Sequence, residues 1–171
     1  MDFHTRVNNA EFWFSQAFQM FEASKALFYH VESRQSSMEL SVGAAKGSAF
    51  LLGISLENAF KGVLVKKGLL KTEGNKLKKK FTNGKAHNLS EYINLIDFDL
   101  DEKDLELLHR LSIYTTWAGK YNAPISENEF FKSEGYMLHS SVDFNIAEDL
   151  LSKLKILAGC SANSKWPDLN L

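Results

Sequence analysis

The chain has 171 residues and a formal net charge of −1, with 44% apolar and 24% charged residues, two prolines and one cysteine. That length suits one domain, 1–171, with a real core. The balanced charge excludes a global pull toward nucleic acid or membrane, and a single cysteine excludes an internal disulfide or a cysteine-rich metal site. Charge is uneven locally. Lysines 61, 66, 67, 71, 76, 78, 79, 80 and 85 face only Glu73, whereas acids 97, 99, 101, 102, 104 and 106 surround Lys103.

A first helix is predicted from about Asn9 to Glu32, because Phe14, Ala17, Phe18, Phe21, Leu27 and Phe28 recur near helical spacing. Ser33 to Ser37 reads as a break. The second helix, about Met38 to Lys67, is apolar on every side and belongs at the centre of a bundle. Gly43, Gly47 and Gly53 would let neighbours approach it closely. Gly68 is a plausible residue just past its end. The apolar stretch from Ala49 to Leu56 is far short of the ~20 residues that span a bilayer. The start of the chain lacks the pattern of a signal peptide. Lys71 to Lys85 reads as a long exposed loop, and no segment shows the period-two alternation of a strand. Asn88 or Ser90 would cap a short helix to Ile96. Asp99 with Glu102 makes a capping-box pattern before a helix from about Leu100 to Ala118. Tyr121 to Glu134 reads as irregular, and a last helix spans about Ser140 to Ala158. The fold class is therefore all-α, an antiparallel bundle of four to five helices. A globin-like packing and a bundle completed only in a dimer are the alternatives.

Chemistry-bearing residues gather in three places. Glu57 and Lys61 lie four apart on the most apolar helix, hence on one face; they form either a buried ion pair or the lining of a polar groove. His87 follows the lysine-rich segment and is a candidate general base, phosphate ligand or turn residue. Arg110, Trp117 and Tyr121, spaced seven and four apart, would share a face, with Lys120 beside them. A cation next to aromatics suits nucleobase and phosphate recognition, and also a packed helix end. No spacing for a metal, a phosphate-cradling loop or a nucleophilic serine occurs, so no cofactor or metal is expected.

Three runs, taken in order, resemble prokaryotic HEPN-like proteins: Leu52-Gly53-Ile54-Ser55-Leu56-Glu57-Asn58-Ala59-Phe60-Lys61, Ala86-His87-Asn88-Leu89, and Tyr114-Thr115-Thr116-Trp117-Ala118-Gly119-Lys120-Tyr121-Asn122-Ala123-Pro124. The resemblance covers about residues 48 to 124. It implies a helical bundle, often dimeric, with a role near RNA or nucleotides in toxin–antitoxin systems, in phage defence or beside a nucleotidyltransferase. The arginine followed after four to six residues by histidine, which marks the ribonucleases of that group, is absent; Lys25 and His30 have that spacing, but lysine is a poor substitute for a planar guanidinium.

Three functions remain open from the sequence. One is a cytoplasmic, homodimeric module that binds RNA, a nucleotide, or a nucleotidyltransferase or antitoxin partner through Glu57, Lys61, His87, Arg110, Trp117, Lys120 and Tyr121. Another is a nonstandard ribonuclease with His87 as acid or base, Lys61 on the phosphate and Glu57 orienting. The third is a structural or adaptor dimer without a ligand site.

Overall fold

The structure is a computed structural model that describes residues 2–32, 37–79, 87–135 and 139–160. Helix formation follows the apolar spacing, and the caps fix its limits. α1 (Phe3–Asn8) starts at Asp2, whose carboxylate accepts from the Thr5 N–H. α2 (Ala10–Glu32) starts where the Asn9 side chain accepts from the Glu11 N–H at 2.9 Å. α3 (Met38–Lys66) is capped by Ser37. It ends in a Schellman motif: the Gly68 N–H reaches the Val65 carbonyl, the Leu69 N–H reaches the Leu64 carbonyl, and Gly68 takes φ +67° as predicted for that glycine.

The segment after α3 differs from the predicted loop. β1 (Leu70–Glu73) and β2 (Lys76–Lys79) form an antiparallel hairpin around Gly74, which takes φ +55°. A glycine at the first central turn position suits a two-residue hairpin. The signal was hidden because only Leu70 is buried, so there is no apolar alternation to read. The rest of the predicted loop, 80–85, lies outside the described residues, as do 33–36 of the first break.

α4 (Ser90–Ile96) follows Asn88, whose side chain accepts from the Ser90 N–H. α5 (Glu102–Ile113) is capped by Asp101 rather than Asp99, since the Asp101 carboxylate takes the Asp104 N–H at 3.0 Å. It runs directly into a π-helical turn, Tyr114–Ala118. The predicted irregular stretch contains a short α6 (Glu127–Ser133), and α7 (Val142–Leu157) closes the described chain.

Four of these helices, α2, α3, α5 and α7, pack together as a bundle, and pairwise contacts give the directions. Along α2 and α3, Phe14 lies at Gly62, Ala17 at Ser55, and Ser24 at Ser48. Along α3 and the α5–π rod, Thr115 lies at Gly53 and Phe50 at Gly119. Arg110 and Asp104 of α5 meet Asp143 and Lys153 of α7, while Phe144 and Lys155 of α7 meet Phe28 and Phe18 of α2. These pairs run in opposite senses, while α3 and α7, each antiparallel to α2, pack side by side in the same sense. The chain is mostly helical and all-α, with one small hairpin among the described residues.

α3 is the central helix. By length and composition it would cross a membrane, yet two thirds of its most apolar window is buried inside the protein (67%). Leu52, Leu56, Phe60, Val63 and Leu64 are sealed by α2, α4, α5 and α7. Each such side chain contributes roughly 1.5–3 kcal/mol on burial. Of the three glycines expected to allow close approach, Gly53 packs on Thr115 and Gly47 on Leu27, while Gly43 faces open space.

Candidate functional site

Glu57 sits in the C-terminal half of α3 among Leu56, Ala59 and Phe60, and only 3% of its side chain is exposed. A buried carboxylate survives when charged or hydrogen-bonding partners surround it. Two do so here. Lys61, one turn on, donates to Oε1 at 2.6 Å, and His87 Nδ1 lies 2.9 Å from Oε2 and 3.1 Å from Oε1. Burial pushes the Glu57 carboxyl up, but the Lys61 charge and hydrogen bond and the His87 hydrogen bond outweigh it and hold the group below its ordinary value. Tyr92 stacks on Phe60 nearby, and its phenol is pushed up by burial and by the Glu57 charge.

An ionised Glu57 only accepts hydrogen bonds, so the proton of neutral His87 resides on Nδ1. Nε2 is then a lone-pair acceptor, and it makes no hydrogen bond among the described residues. The His87 side chain is 44% exposed and Lys61 is 21% exposed. The group is therefore a buried carboxylate that presents an ammonium and an oriented imidazole to solvent.

The backbone holds His87 in place at some cost. Its φ of +71° is left-handed, a conformation disfavoured by ~1–2 kcal/mol in a residue with a Cβ. The next layer fixes it there. The Thr115 hydroxyl donates to the His87 carbonyl at 2.6 Å, and the Leu89 N–H donates to the Ser112 hydroxyl at 2.9 Å. Thr115 belongs to the π turn, whose side chain fits only because Gly53 lacks a Cβ; one there would stand 2.5 Å from Thr115 Cγ2. The three sequence runs thus meet: the α3 run supplies Glu57, Lys61 and the space for Thr115, the second supplies His87, and the third holds it.

The remaining predicted residues lie elsewhere. Arg110 makes a two-pronged bond to Asp143 at 2.8 and 3.1 Å. Trp117 is buried and borders a depression of about 240 Å³ with Asn88, Ser90, His109 and Lys132. The Lys120 ammonium lies 5.8 Å from the Phe50 ring centroid, and Tyr121 is 62% exposed. Arg110 and Trp117 do not share a face because the π turn holds more residues per turn than the α-helix assumed in the spacing argument.

Sequence reasoning missed two residues that shape the site, Thr115 and Tyr92. The Trp13 ring lies 5.7 Å from the Lys61 ammonium, and its indole N–H donates to the Val7 carbonyl at 2.8 Å. The only available signal for Thr115 was its place in the third run.

A second polar network is sealed in the core. His139 bridges Asp143 (2.9 Å from Nδ1) and Ser48 (3.0 Å from Nε2), while Ser48 also donates to the Ser24 carbonyl. The order is that of a hydrolytic triad, but Ser48 is completely buried and no substrate reaches it. Asp143 is raised by burial and held well below the usual carboxylate range by His139 and Arg110. This network clamps α2, α3, α5 and α7 together. Cys160 is buried, and burial and Glu11 push its thiol up to about 12, so it is not a reactive thiolate. Among the described residues, no three His, Cys, Asp or Glu side chains form a group that could hold a metal.

Comparison with protein-family models, curated proteins and solved structures gave no match.

Proposed function

We propose that this chain is a HEPN-like helical module that binds RNA or a nucleotide, with Lys61 and His87 as the ligand-facing groups. The observation that carries this reading is the meeting of the three runs at one point, where a buried Glu57 orients an exposed imidazole beside an ammonium. The β hairpin adds to it. Lys71, Lys76 and Lys78 share one face with Glu73, which pairs with Lys78, so that face keeps a net positive charge for a phosphate. The cell setting proposed is the cytoplasm, in a toxin–antitoxin or phage-defence system, with a nucleotidyltransferase or antitoxin as protein partner. Exposed Met38, Leu40 and Val42 near the start of α3 support a homodimer.

The test is fluorescence anisotropy with labelled single-stranded RNA at low salt. The parent protein binds, and His87→Ala binds several-fold more weakly with an unchanged melting curve. Absence of binding by the parent at low salt sinks the nucleic-acid reading and leaves a structural adaptor.

One observation favours a second reading, a nonstandard ribonuclease. Glu57 fixes the His87 proton on Nδ1 and leaves Nε2 as a base next to Lys61. His87 would take a ribose 2′-hydroxyl proton, and Lys61 would offset the charge gathering on the attacked phosphate. RNA incubated with the parent would then be cut, and RNA incubated with His87→Ala would not.

A further inference from the structure

Beside this site lies a second depression whose lining has no role in the reading above. It measures about 240 Å³ and is bounded by Phe3, Arg6, Phe12, Trp13, Gln16 and Asn58. We infer that it seats a nucleobase, with the attached phosphate held by Arg6. The inference rests on the RNA or nucleotide reading and supplies its base-binding part.

Shape is the first argument. The volume falls below the ~300–1,000 Å³ of pockets for drug-sized ligands, so a single flat ring system is the scale it accepts. Three of the seven lining residues are aromatic, and stacking on aromatic faces is how proteins hold unpaired bases. The wall is built in advance. Trp13 is fixed by its bond to the Val7 carbonyl. α1, which carries Phe3 and Arg6, is pinned to the hairpin. There the Asn8 amide nitrogen donates to the Thr72 hydroxyl at 2.7 Å, and the Thr72 N–H donates to the Asn8 amide oxygen at 2.9 Å.

Polarity is the second argument. The Gln16 amide makes no hydrogen bond among the described residues, so it offers a donor and an acceptor to a base edge. Asn58 donates one N–H to the Ile54 carbonyl at 2.8 Å and keeps its oxygen available. An apolar ligand would strand these amides.

Charge is the third. Arg6 is exposed and forms no ion pair among the described residues. A planar guanidinium suits two-pronged contact with a phosphate. Lys61 lies against the Trp13 ring, so this depression and the Glu57–Lys61–His87 group share one wall. A strand with one base in the depression would carry its next phosphate toward Lys61 and His87. The ligand chemistry, a base bearing a phosphate, is common to a free nucleotide and to RNA.

The experiment follows the Trp13 indole N–H signal by nuclear magnetic resonance, assigned with Trp13→Phe, while the four nucleoside 5′-monophosphates, adenosine, inorganic phosphate and a short single-stranded RNA are added in turn. At least one monophosphate shifts the signal saturably, inorganic phosphate alone does not, and Arg6→Ala weakens the monophosphate roughly tenfold, to the level of adenosine. Gln16→Ala weakens adenosine and the monophosphate alike. A shift by monophosphates without RNA binding identifies a free-nucleotide site and removes RNA from the functional reading. No shift by any monophosphate or by RNA overturns the inference. So does equal affinity for indole-3-acetate, a planar anion with no base edge. If RNA binding falls in His87→Ala but not in Arg6→Ala or Gln16→Ala, the base pocket is wrong and the RNA reading stands.

Discussion

Glu57 is the residue on which the site depends, because both Lys61 and His87 bond to its carboxylate. Replacing it by glutamine keeps the shape and removes the charge. Two charge-assisted bonds become ordinary ones, and the expected loss is about 2 kcal/mol of stability, measured by urea denaturation at pH 7. The same variant predicts a pH effect. In the folded chain Glu57 and Asp143 both titrate below their ordinary values of 4.5 and 3.8. Their contribution is therefore complete above those values and is lost as pH falls through the lower folded ones. Stability of the parent should drop steeply below about pH 4.5, and Glu57→Gln should drop less steeply there. A parallel acid curve in the two proteins would show that Glu57 is not held as an anion. Asp143 and the other lowered carboxylates, Asp2, Glu39, Glu73 and Asp101, would then account for the acid limb.

At the scale of elements, the glycines of α3 separate packing from propensity. Gly53→Ala gains ~1 kcal/mol of helix propensity but drives a methyl to 2.5 Å from Thr115 Cγ2, and overpacking costs about 1–3 kcal/mol. Thr115 cannot turn aside freely because its hydroxyl holds the His87 carbonyl. The expected result is a lower melting temperature and an altered His87 imidazole resonance. Gly43→Ala meets nothing within 4 Å and should gain roughly 1 kcal/mol. These two glycines look alike in the sequence, which shows where its legibility ends. Helix limits were readable from apolar spacing and caps, and α3 was readable as central because it is apolar all round. The Glu57–Lys61 pair was readable because i, i+4 spacing is local. The hairpin was not, since its strands bury one residue. The α1 and α6 helices were not, since each is under two turns. Arg110 was misplaced because its partner, Asp143, is set by packing of distant segments, and because the π turn breaks the assumed period.

Across the whole molecule, charge is sorted by segment rather than by amount. The hairpin carries Lys71, Lys76, Lys78 and Lys79, while Asp99, Asp101, Glu102 and Glu106 are exposed around the start of α5. If the chain binds RNA as proposed, the hairpin is the segment that would meet the phosphates. For single-stranded RNA touching three to five phosphates, log affinity should fall with log salt at a slope of about −2 to −3.5. Lys71→Ala and Lys76→Ala should each flatten it by about 0.7, because each removes one contact. An unchanged slope in the double variant would place the RNA away from the hairpin.

The π turn at Tyr114–Ala118 has a consequence for how such chains are compared. It amounts to an α-helix with one residue inserted. A related chain without that insertion, matched to this one with no gap, would be out of step by one position after Tyr114. One position is about 100° of helix rotation, enough to bring Lys120 to the place against Phe50 where only Gly119 fits. The Tyr-Thr-Thr-Trp-Ala run therefore specifies a length as well as a composition. A single deletion within it would be felt at Phe50 and Gly53 more strongly than most substitutions there.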